Sequence, residues 1–342
     1  MSEAAPVAFL TEAGPSIGLG HARRCLTLAL ALRERGLASR FLLAGNAPAA
    51  ELLRSQAFIV EVVSGALDAP AALDQLGRWG ARVAVIDSYQ FDTTFLMALE
   101  AGGLTVLALS DRPDRELPVS LVLNAAVGIE PLAYRGRADT CFLLGPRYAL
   151  LRSEFAREPE PRPAGPISRV LITVGGSDAD DLTPRLMRWV ADDVAGDAVD
   201  VVVGPFFTTA TIEAIRREAG RPGARVSIHE QPADMRGLMQ QAHLAVCGAG
   251  QTTYELAACG TPTMAISTAD NQLDSVNGFA AAGTLVHVGR VTDAALEAHT
   301  RAALARLLAD EPARLALGRT GRALVDGRGT ERVADILAAR IH

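Results

Sequence analysis

Three glycine-rich stretches carry the residue types that could do chemistry. In "IGLGHARRCLTLALALRERG", residues 17–36, Gly18 and Gly20 lead into helical apolar spacing, and His21 stands where the turn becomes the helix. The positive end of a helix dipole favours the neutral imidazole, the form that accepts a proton from water or a hydroxyl. A histidine there can equally cap the helix or pack on a neighbouring segment, and position leaves both readings open. "TVGGSDADDLT", residues 173–183, places Gly175, Gly176 and Ser177 ahead of a second helix, and "CGAGQTTYELAACGTP", residues 247–262, places Gly248, Gly250, Gln251 and Thr252 ahead of a third. Such turns bring backbone N–H groups at helix N-termini close to a ligand, which suits phosphate or sugar oxygens. Glu255 is expected in the first turn of a helix starting near Thr252, where its carboxylate could accept both hydroxyls of a ribose. Thr252 and Glu255 also make a T-x-x-E capping box, a purely structural reading of the same spacing.

Several chemistries are excluded by residue type. Gly18 and Gly20 begin a G-x-G-x-x-G pattern, but Arg23 holds the third glycine position, where a side chain obstructs helix and strand packing, so NAD binding is disfavoured. Ser177 falls one residue short of a nucleophile elbow because Ala179 stands where glycine is needed. All 33 Lys+Arg residues are arginine, which removes a P-loop lysine and any Schiff base. The four cysteines, Cys25, Cys141, Cys247 and Cys259, form no C-x-x-C pair, and the histidines show no H-E-x-x-H spacing. No metal and no cofactor are expected, and the cysteines are read as small buried residues of a reducing compartment.

The elements that must position these turns follow from the alternation of short apolar runs with longer helical patterns. "VAFLT", "SRFLLAG", "VAVIDS", "LTVLALS", "LVLNA" and "CFLLG" read as strands, with helices around 21–35, 48–56, 71–79 and 92–101. After a proline-rich stretch the rhythm restarts with "RVLITVGG", "VDVVVG", "RVSIHE", "HLAVCGAG" and "TPTMAIS", and helical segments fill the chain from 291 on. At 342 residues the chain exceeds the usual size of one core. The expectation is α/β architecture in two Rossmann-like parallel-sheet domains, 1–155 and 169–325, joined by a linker at 156–168 and facing a central cleft. A C-terminal helix at 326–342 is expected to pack back on the first domain. The apolar share of 49% against 21% charged fits a globular chain. A net charge of -6 argues against nucleic acid as partner. No charge-free stretch is long enough to span a bilayer, and "MSEAAPVAFL" lacks the basic start of a signal peptide. A soluble, cytoplasmic monomer acting on a small molecule is expected.

Taken in order, "IGLGHARRCLTLA", "VIDSY", "LLGPRYALLRSEF", "VGGSDADDLT", "GAGQTTYE" and "DNQ" resemble the UDP-sugar hydrolases of pseudaminic acid biosynthesis and their spore-coat polysaccharide relatives, within the GT-B group of nucleotide-sugar enzymes. The blocks run from residue 7 to about 280, most of the chain. The resemblance implies metal-independent attack of water on the anomeric carbon of a UDP-2,4-diacetamido-2,4,6-trideoxy-altrose-like sugar, releasing UDP. By that resemblance His21 is the general base, Tyr89 lies near the sugar, and Gly175, Gly176 and Ser177 face the ligand. Gly248, Gly250, Gln251 and Thr252 surround the diphosphate, Glu255 meets the ribose, and Asn271 and Gln272 reach toward sugar or phosphate.

Departures fall on the presumed sugar side. Family members commonly carry Arg and Asp before the first glycine turn and a His in a "DHY" block, where this chain has Leu10, Glu12 and Ser88. Read alone, Ser88 is a strand-end polar residue and Glu12 a solvated loop charge; read with the family, they signal a changed sugar or acceptor. Three functions stay open on sequence: a nucleotide-sugar hydrolase, a glycosyltransferase passing the sugar to an acceptor hydroxyl, and a non-catalytic nucleotide-sugar binding protein, which the retained His21 disfavours.

Overall fold

The computed structural model describes residues 5–14, 18–63, 67–111, 116–129, 134–160, 165–194 and 198–341. Ile17, at the head of the first glycine stretch, residues 1–4 of the N-terminal segment and 161–164 of the expected linker lie outside the described residues. The chain divides into two compact units, Met1–Ser153 with Arg328–His342, and Glu154–Gly327.

The first unit is a parallel sheet of β1 (Val7–Ala13), β2 (Ser39–Gly45), β3 (Ile59–Val62), β4 (Val83–Asp87), β5 (Thr105–Leu109), β6 (Leu121–Asn124) and β7 (Cys141–Leu144), ordered β3-β2-β1-β4-β5-β6-β7. Its crossovers are α1 (Gly20–Glu34), α2 (Ala47–Arg54), α3 (Ala69–Arg78) and α4 (Thr93–Ala101). Strands β1 and β4 are buried along their whole length, which is why their sequences run apolar without alternation. One face packs Leu10, Ile86, Val106 and Val122 against Leu76 and Leu99 of the helices. Helices α2, α3 and α4 start at Asn46, Asp68 and Asp92, whose side chains accept from the amides of Ala49, Ala71 and Phe95 at 3.2, 2.8 and 2.8 Å.

The second unit repeats the plan with β8 (Arg169–Thr173), β9 (Ala198–Val203), β10 (Val226–Glu230), β11 (Leu244–Gly248), β12 (Thr263–Ser267) and β13 (Val286–Arg290), ordered β10-β9-β8-β11-β12-β13 and parallel throughout. Its helices are α5 (Leu182–Asp193), α6 (Thr209–Ala219), α7 (Met235–Gln241), α8 (Gln251–Ala258), α9 (Leu273–Ala281), α10 (Leu296–Ala309) and α11 (Glu311–Leu324). The last helix, α12 (Gly329–Ala338), belongs to the first unit: Arg35 pairs with Asp335 at 2.7 Å, and Thr330 donates to the Leu151 carbonyl at 2.7 Å. Gly329 is required there, since a Cβ would meet the Ala149 carbonyl oxygen at 2.3 Å. Among the described residues no helix is long and apolar enough to cross a membrane.

Two strands escape the sequence pattern, β3 and β13, and both lie at sheet edges. In β3 only Val60 is buried, while Ile59, Glu61 and Val62 are exposed, so the run lacks the apolar continuity of a central strand. Each sheet reverses its winding at one place, between β1 and β4 in the first unit and between β8 and β11 in the second. In open α/β sheets the loops leaving the carboxyl ends of such strand pairs frame the ligand crevice. All the sequence candidates except Asn271 and Gln272 sit on or beside those four loops; these two follow β12.

Candidate active site

In the first unit the loops after β1 and β4 bring His21 and Tyr89 together, their rings edge to face with centroids 4.8 Å apart at 87°. Gly18 has φ +77, a backbone state that suits glycine, and the Gly14 and Gly18 amides and carbonyls pair across the turn. Gly20 then opens α1, whose N-cap is Leu19 with no side-chain cap, and His21 is its second residue, 7% exposed. The ring is held from behind: His21 Nδ1 lies 2.6 Å from Oδ1 of Asp87, the last residue of β4. An ionised carboxylate only accepts, so Nδ1 carries the proton and donates it to Asp87. In the neutral ring Nε2 then holds the lone pair, the state of a general base.

Asp87 is fully buried and saturated. Arg24, three residues beyond His21 and on the same helical face, donates from Nε to Oδ2 at 2.5 Å and from Nη2 to Oδ1 at 2.6 Å. The same guanidinium reaches Asp111, just beyond β5, at 3.3 and 3.4 Å, and the Tyr89 hydroxyl donates to Asp111 Oδ2 at 2.9 Å. Burial opposes the charge on Asp87, but the charge and hydrogen bonds of Arg24 and the hydrogen bond of His21 outweigh it and hold the carboxyl well below the usual range. Burial likewise works against the Arg24 charge, and Asp111 and Asp87 overcome it. Burial, with the neighbouring Asp87 charge, pushes the Cys25 thiol up, so it is a packed neighbour and no nucleophile. Ser88, Ser110 and Leu109 complete the small pocket around this chain of groups.

Glu12 is not a solvated loop charge. It lies inside β1, fully buried, and accepts from the Tyr89 amide at 2.6 Å and from Gln90 Nε2 at 2.9 Å. Leu10 is a core residue of the same strand, and Ser88, half-buried, accepts from the Gln90 amide at 3.0 Å.

In the second unit the two glycine turns differ. Gly175 (φ +112), Gly176 and Ser177 leave β8, but the helix that follows does not offer its amides to a ligand. Asp178 takes them: its carboxylate accepts from the amides of Leu182 at 2.7 Å and Thr183 at 2.8 Å, the first two residues of α5. The expectation of an anion seat at that helix end is therefore corrected. Burial raises the Asp178 carboxyl, and the bonds from Thr183 and Leu182 offset part of that.

Helix α8 begins differently. Its N-cap is Gly250, its first residue is Gln251, and no side chain caps it. Helices α9, α10 and α12 are also uncapped by side chains; α8 alone of these follows a strand at the switch point. Thr252 is thus the second helical residue and Glu255 the fifth, so the T-x-x-E spacing is no capping box and Glu255 lies beyond the first turn. Instead Thr253 turns its hydroxyl back to the Gly250 carbonyl at 2.7 Å. Gly248 packs on the end of β8, where a Cβ would meet the Val174 carbonyl oxygen at 2.6 Å. Gln272 lies close by, its Nε2 3.8 Å from where a Cβ on Gly250 would stand, and its Oε1 accepts from the Thr268 amide at 2.9 Å. Asn271, next to it in a short 3-10 turn, is exposed.

Gly248, Gly250, Gln251, Thr252 and Gln272 therefore gather at one helix start, with Glu255 one turn on. Sequence reasoning missed Asp87, Arg24 and Asp111. Among the described residues no three His, Cys, Asp or Glu side chains cluster as a metal site requires.

No family model matches the chain. It is 30% identical over 208 residues to "Spore coat polysaccharide biosynthesis protein SpsG" of Bacillus subtilis (strain 168), covering 59% of this chain and 59% of that protein. It is 24% identical over 270 residues to an uncharacterized protein of Methanocaldococcus jannaschii, covering 76% of this chain and 55% of that one. The chain spans between half and two thirds of the length of these curated relatives. Among solved structures it is similar to Acinetobacter baumannii MurG, with TM-score 0.69 and 16% identity over 98% of this chain and 99% of that one. It is also similar to the calicheamicin glycosyltransferase CalG4, with TM-score 0.65 and 16% identity over 99% and 98% of the two chains. A third is MnaA of S. aureus in a co-structure with UDP, with TM-score 0.65 and 10% identity over 98% and 97%. At such identities the likeness shows the fold, which is of GT-B type with two Rossmann-like parallel-sheet domains.

Proposed function

We propose that this protein hydrolyses a UDP-activated amino or deoxy sugar, of the UDP-2,4-diacetamido-2,4,6-trideoxy-altrose kind, in nonulosonic (pseudaminic) acid or surface polysaccharide biosynthesis. The observation that carries the reading is the His21–Asp87 pair at the switch point of the first unit. It is a histidine whose Nδ1 is held by a buried carboxylate, its ring edge to face with Tyr89, and that carboxylate stabilises the imidazolium once a proton is taken up. In the proposed step a water oxygen bonds to the anomeric carbon, the bond from that carbon to the β-phosphate oxygen breaks, and the water proton passes to His21 Nε2. UDP leaves with the electron pair. The diphosphate is already a good leaving group, so one base and amides that stabilise its growing charge suffice. The start of α8, with Gly248, Gly250, Gln251 and Thr252, takes the diphosphate, Glu255 the ribose, and Asn271 and Gln272 the sugar or phosphate. The relative named for spore coat polysaccharide biosynthesis supports the same direction.

The test is incubation with a panel of UDP-sugars and no acceptor. Release of UDP matched by free reducing sugar, with repeated turnover, is expected. UDP release that appears only when an acceptor alcohol is added makes the protein a transferase, and UDP binding with no release under either condition makes it a binding protein.

A further inference from the structure

Glu12 is a carboxylate with no exposed surface, and among the described residues both of its partners come from one loop. It accepts from the amide of Tyr89 and the side-chain amide of Gln90, and among the described residues no arginine or histidine bonds to it. Burying a carboxylate is costly, and hydrogen bonds from its partners must offset that cost. Here they pin the turn that carries Tyr89, already tightened by the Gln90 amide donating to Ser88 Oγ. The other end of Tyr89 is tied as well, its hydroxyl donating to Asp111. The ring is thus fixed at backbone and phenol while remaining 37% exposed, edge to face with the histidine whose Nδ1–H donates to Asp87. An exposed aromatic ring normally moves among rotamers; here Asp111 holds the phenol and Glu12 fixes the backbone amide from which the side chain springs.

We propose that Glu12 is a positioning residue, acting through Tyr89: it holds the ring against His21 and so sets the wall beside which the base works. This rests on the hydrolase reading for its consequence on turnover, and not for the placement of the ring. The chain has four tyrosines, so uniform 3-fluorotyrosine labelling gives a readable fluorine spectrum, in which Tyr89→Phe assigns the Tyr89 signal. Glu12→Gln keeps an acceptor for the Tyr89 amide, and Gln90 can turn its own amide to match, so its Tyr89 signal stays at the native shift and width. Glu12→Ala shifts or broadens that signal and leaves the signal of buried Tyr134 in place. Gln90→Ala, on the surface, removes one of the two bonds without touching the core, and moves the Tyr89 signal in the same direction, which keeps the test decisive if Glu12→Ala does not fold. A Tyr89 signal unchanged in folded Glu12→Ala, or in Gln90→Ala where Glu12→Ala does not fold, overturns the proposal. With a UDP-sugar that is turned over, Glu12→Ala lowers kcat by about 10- to 100-fold with little change in KM, the scale of a misplaced contact at a reacting centre. Combined with Tyr89→Ala it costs no more than Tyr89→Ala alone; additive losses mean Glu12 does not act through Tyr89. If the unaltered protein turns over no UDP-sugar, the hydrolase reading fails while the fluorine spectra still decide the placement of the ring.

Discussion

Asp87→Asn separates the base from its support. The asparagine has nearly the same size, but it offers one oxygen and one NH2 where the native carboxylate accepts from His21 Nδ1 and from Arg24 Nε and Nη2. His21 Nδ1 and Arg24 Nη2 share Oδ1 while Arg24 Nε bonds Oδ2, so with the amide oxygen kept on Nε the NH2 faces His21 and donates to Nδ1, meeting Arg24 Nη2 as a second donor. That forces the proton onto Nε2 and leaves the ring unable to accept one from water. Wrong-tautomer loss at a base of this kind is about 10²- to 10⁴-fold in kcat. Stability falls too. Breaking a buried pair by removing one charge costs about 3–5 kcal/mol. Arg24 keeps a looser ion pair with Asp111 at 3.3 Å and the amide keeps part of the hydrogen bonding, so about 2 kcal/mol is expected, or some 4–8 °C in Tm for a unit of this size. The sign with pH follows from the depressed Asp87 carboxyl. Its contribution is complete above the ordinary carboxylate range, near 3.9, and disappears only as pH falls through the lower folded value. The gap in stability between native and variant is therefore full at pH 7 and closes in strong acid. Steady-state UDP release and thermal melts across pH check both halves. A folded Asp87→Asn with native turnover refutes the tautomer argument.

Three further outcomes test the second unit. Glu255→Gln removes the charge but no helix cap, because Gly250 is the N-cap, and UDP affinity measured by calorimetry falls by about 1–3 kcal/mol while Tm holds; unchanged affinity removes Glu255 from the ribose. Gly250→Ala is accepted by the fold, since the nearest atom to the new Cβ is 3.8 Å away, yet it lowers UDP affinity about tenfold or more if the diphosphate lies over that backbone, whereas Gly248→Ala meets the Val174 carbonyl and destabilises by about 1–3 kcal/mol. Asp178→Ala frees the first two amides of α5 and costs about 1–2 kcal/mol in a denaturant titration, with UDP affinity unchanged; a loss of UDP affinity would return that helix start to the ligand.

What the sequence disclosed depended on how each residue's environment was written into its neighbours. Central strands such as β1 and β4 were legible because burial on both faces favours long apolar runs; the edge strands β7 and β10 were legible too, whereas β3, buried only at Val60, and β13, buried only at Val288, lose that mark. His21 was found from its place at a helix start, but its partner lies 66 residues away, and spacing along the chain says nothing about a pair that only sheet order creates. A signal did exist. Glu12, Asp87 and Asp111 all stand at or just past the ends of apolar strands, β1, β4 and β5, which are neighbours in the sheet. A carboxylate ending such a run stays buried only when it has partners, and Arg24, one turn after His21, is the cation that answers it. Glu12 misled because an acid before a glycine turn also describes a surface loop. The capping box misled because Gly250, with φ -102 and ψ -148, ends the extended segment two residues before Thr252, so the threonine falls inside the helix.

In the proposed reaction, water activated by His21 takes the sugar from UDP at the anomeric carbon. Turnover of a UDP-sugar in oxygen-18 water, without acceptor, followed by mass spectrometry of both products, tests it directly. The account predicts one heavy oxygen in the free sugar, none in UDP, and His21→Asn that still binds UDP but turns over about 100-fold or more slowly. Heavy oxygen in the UDP phosphate, which means attack at phosphorus, or full activity in His21→Asn, would contradict it.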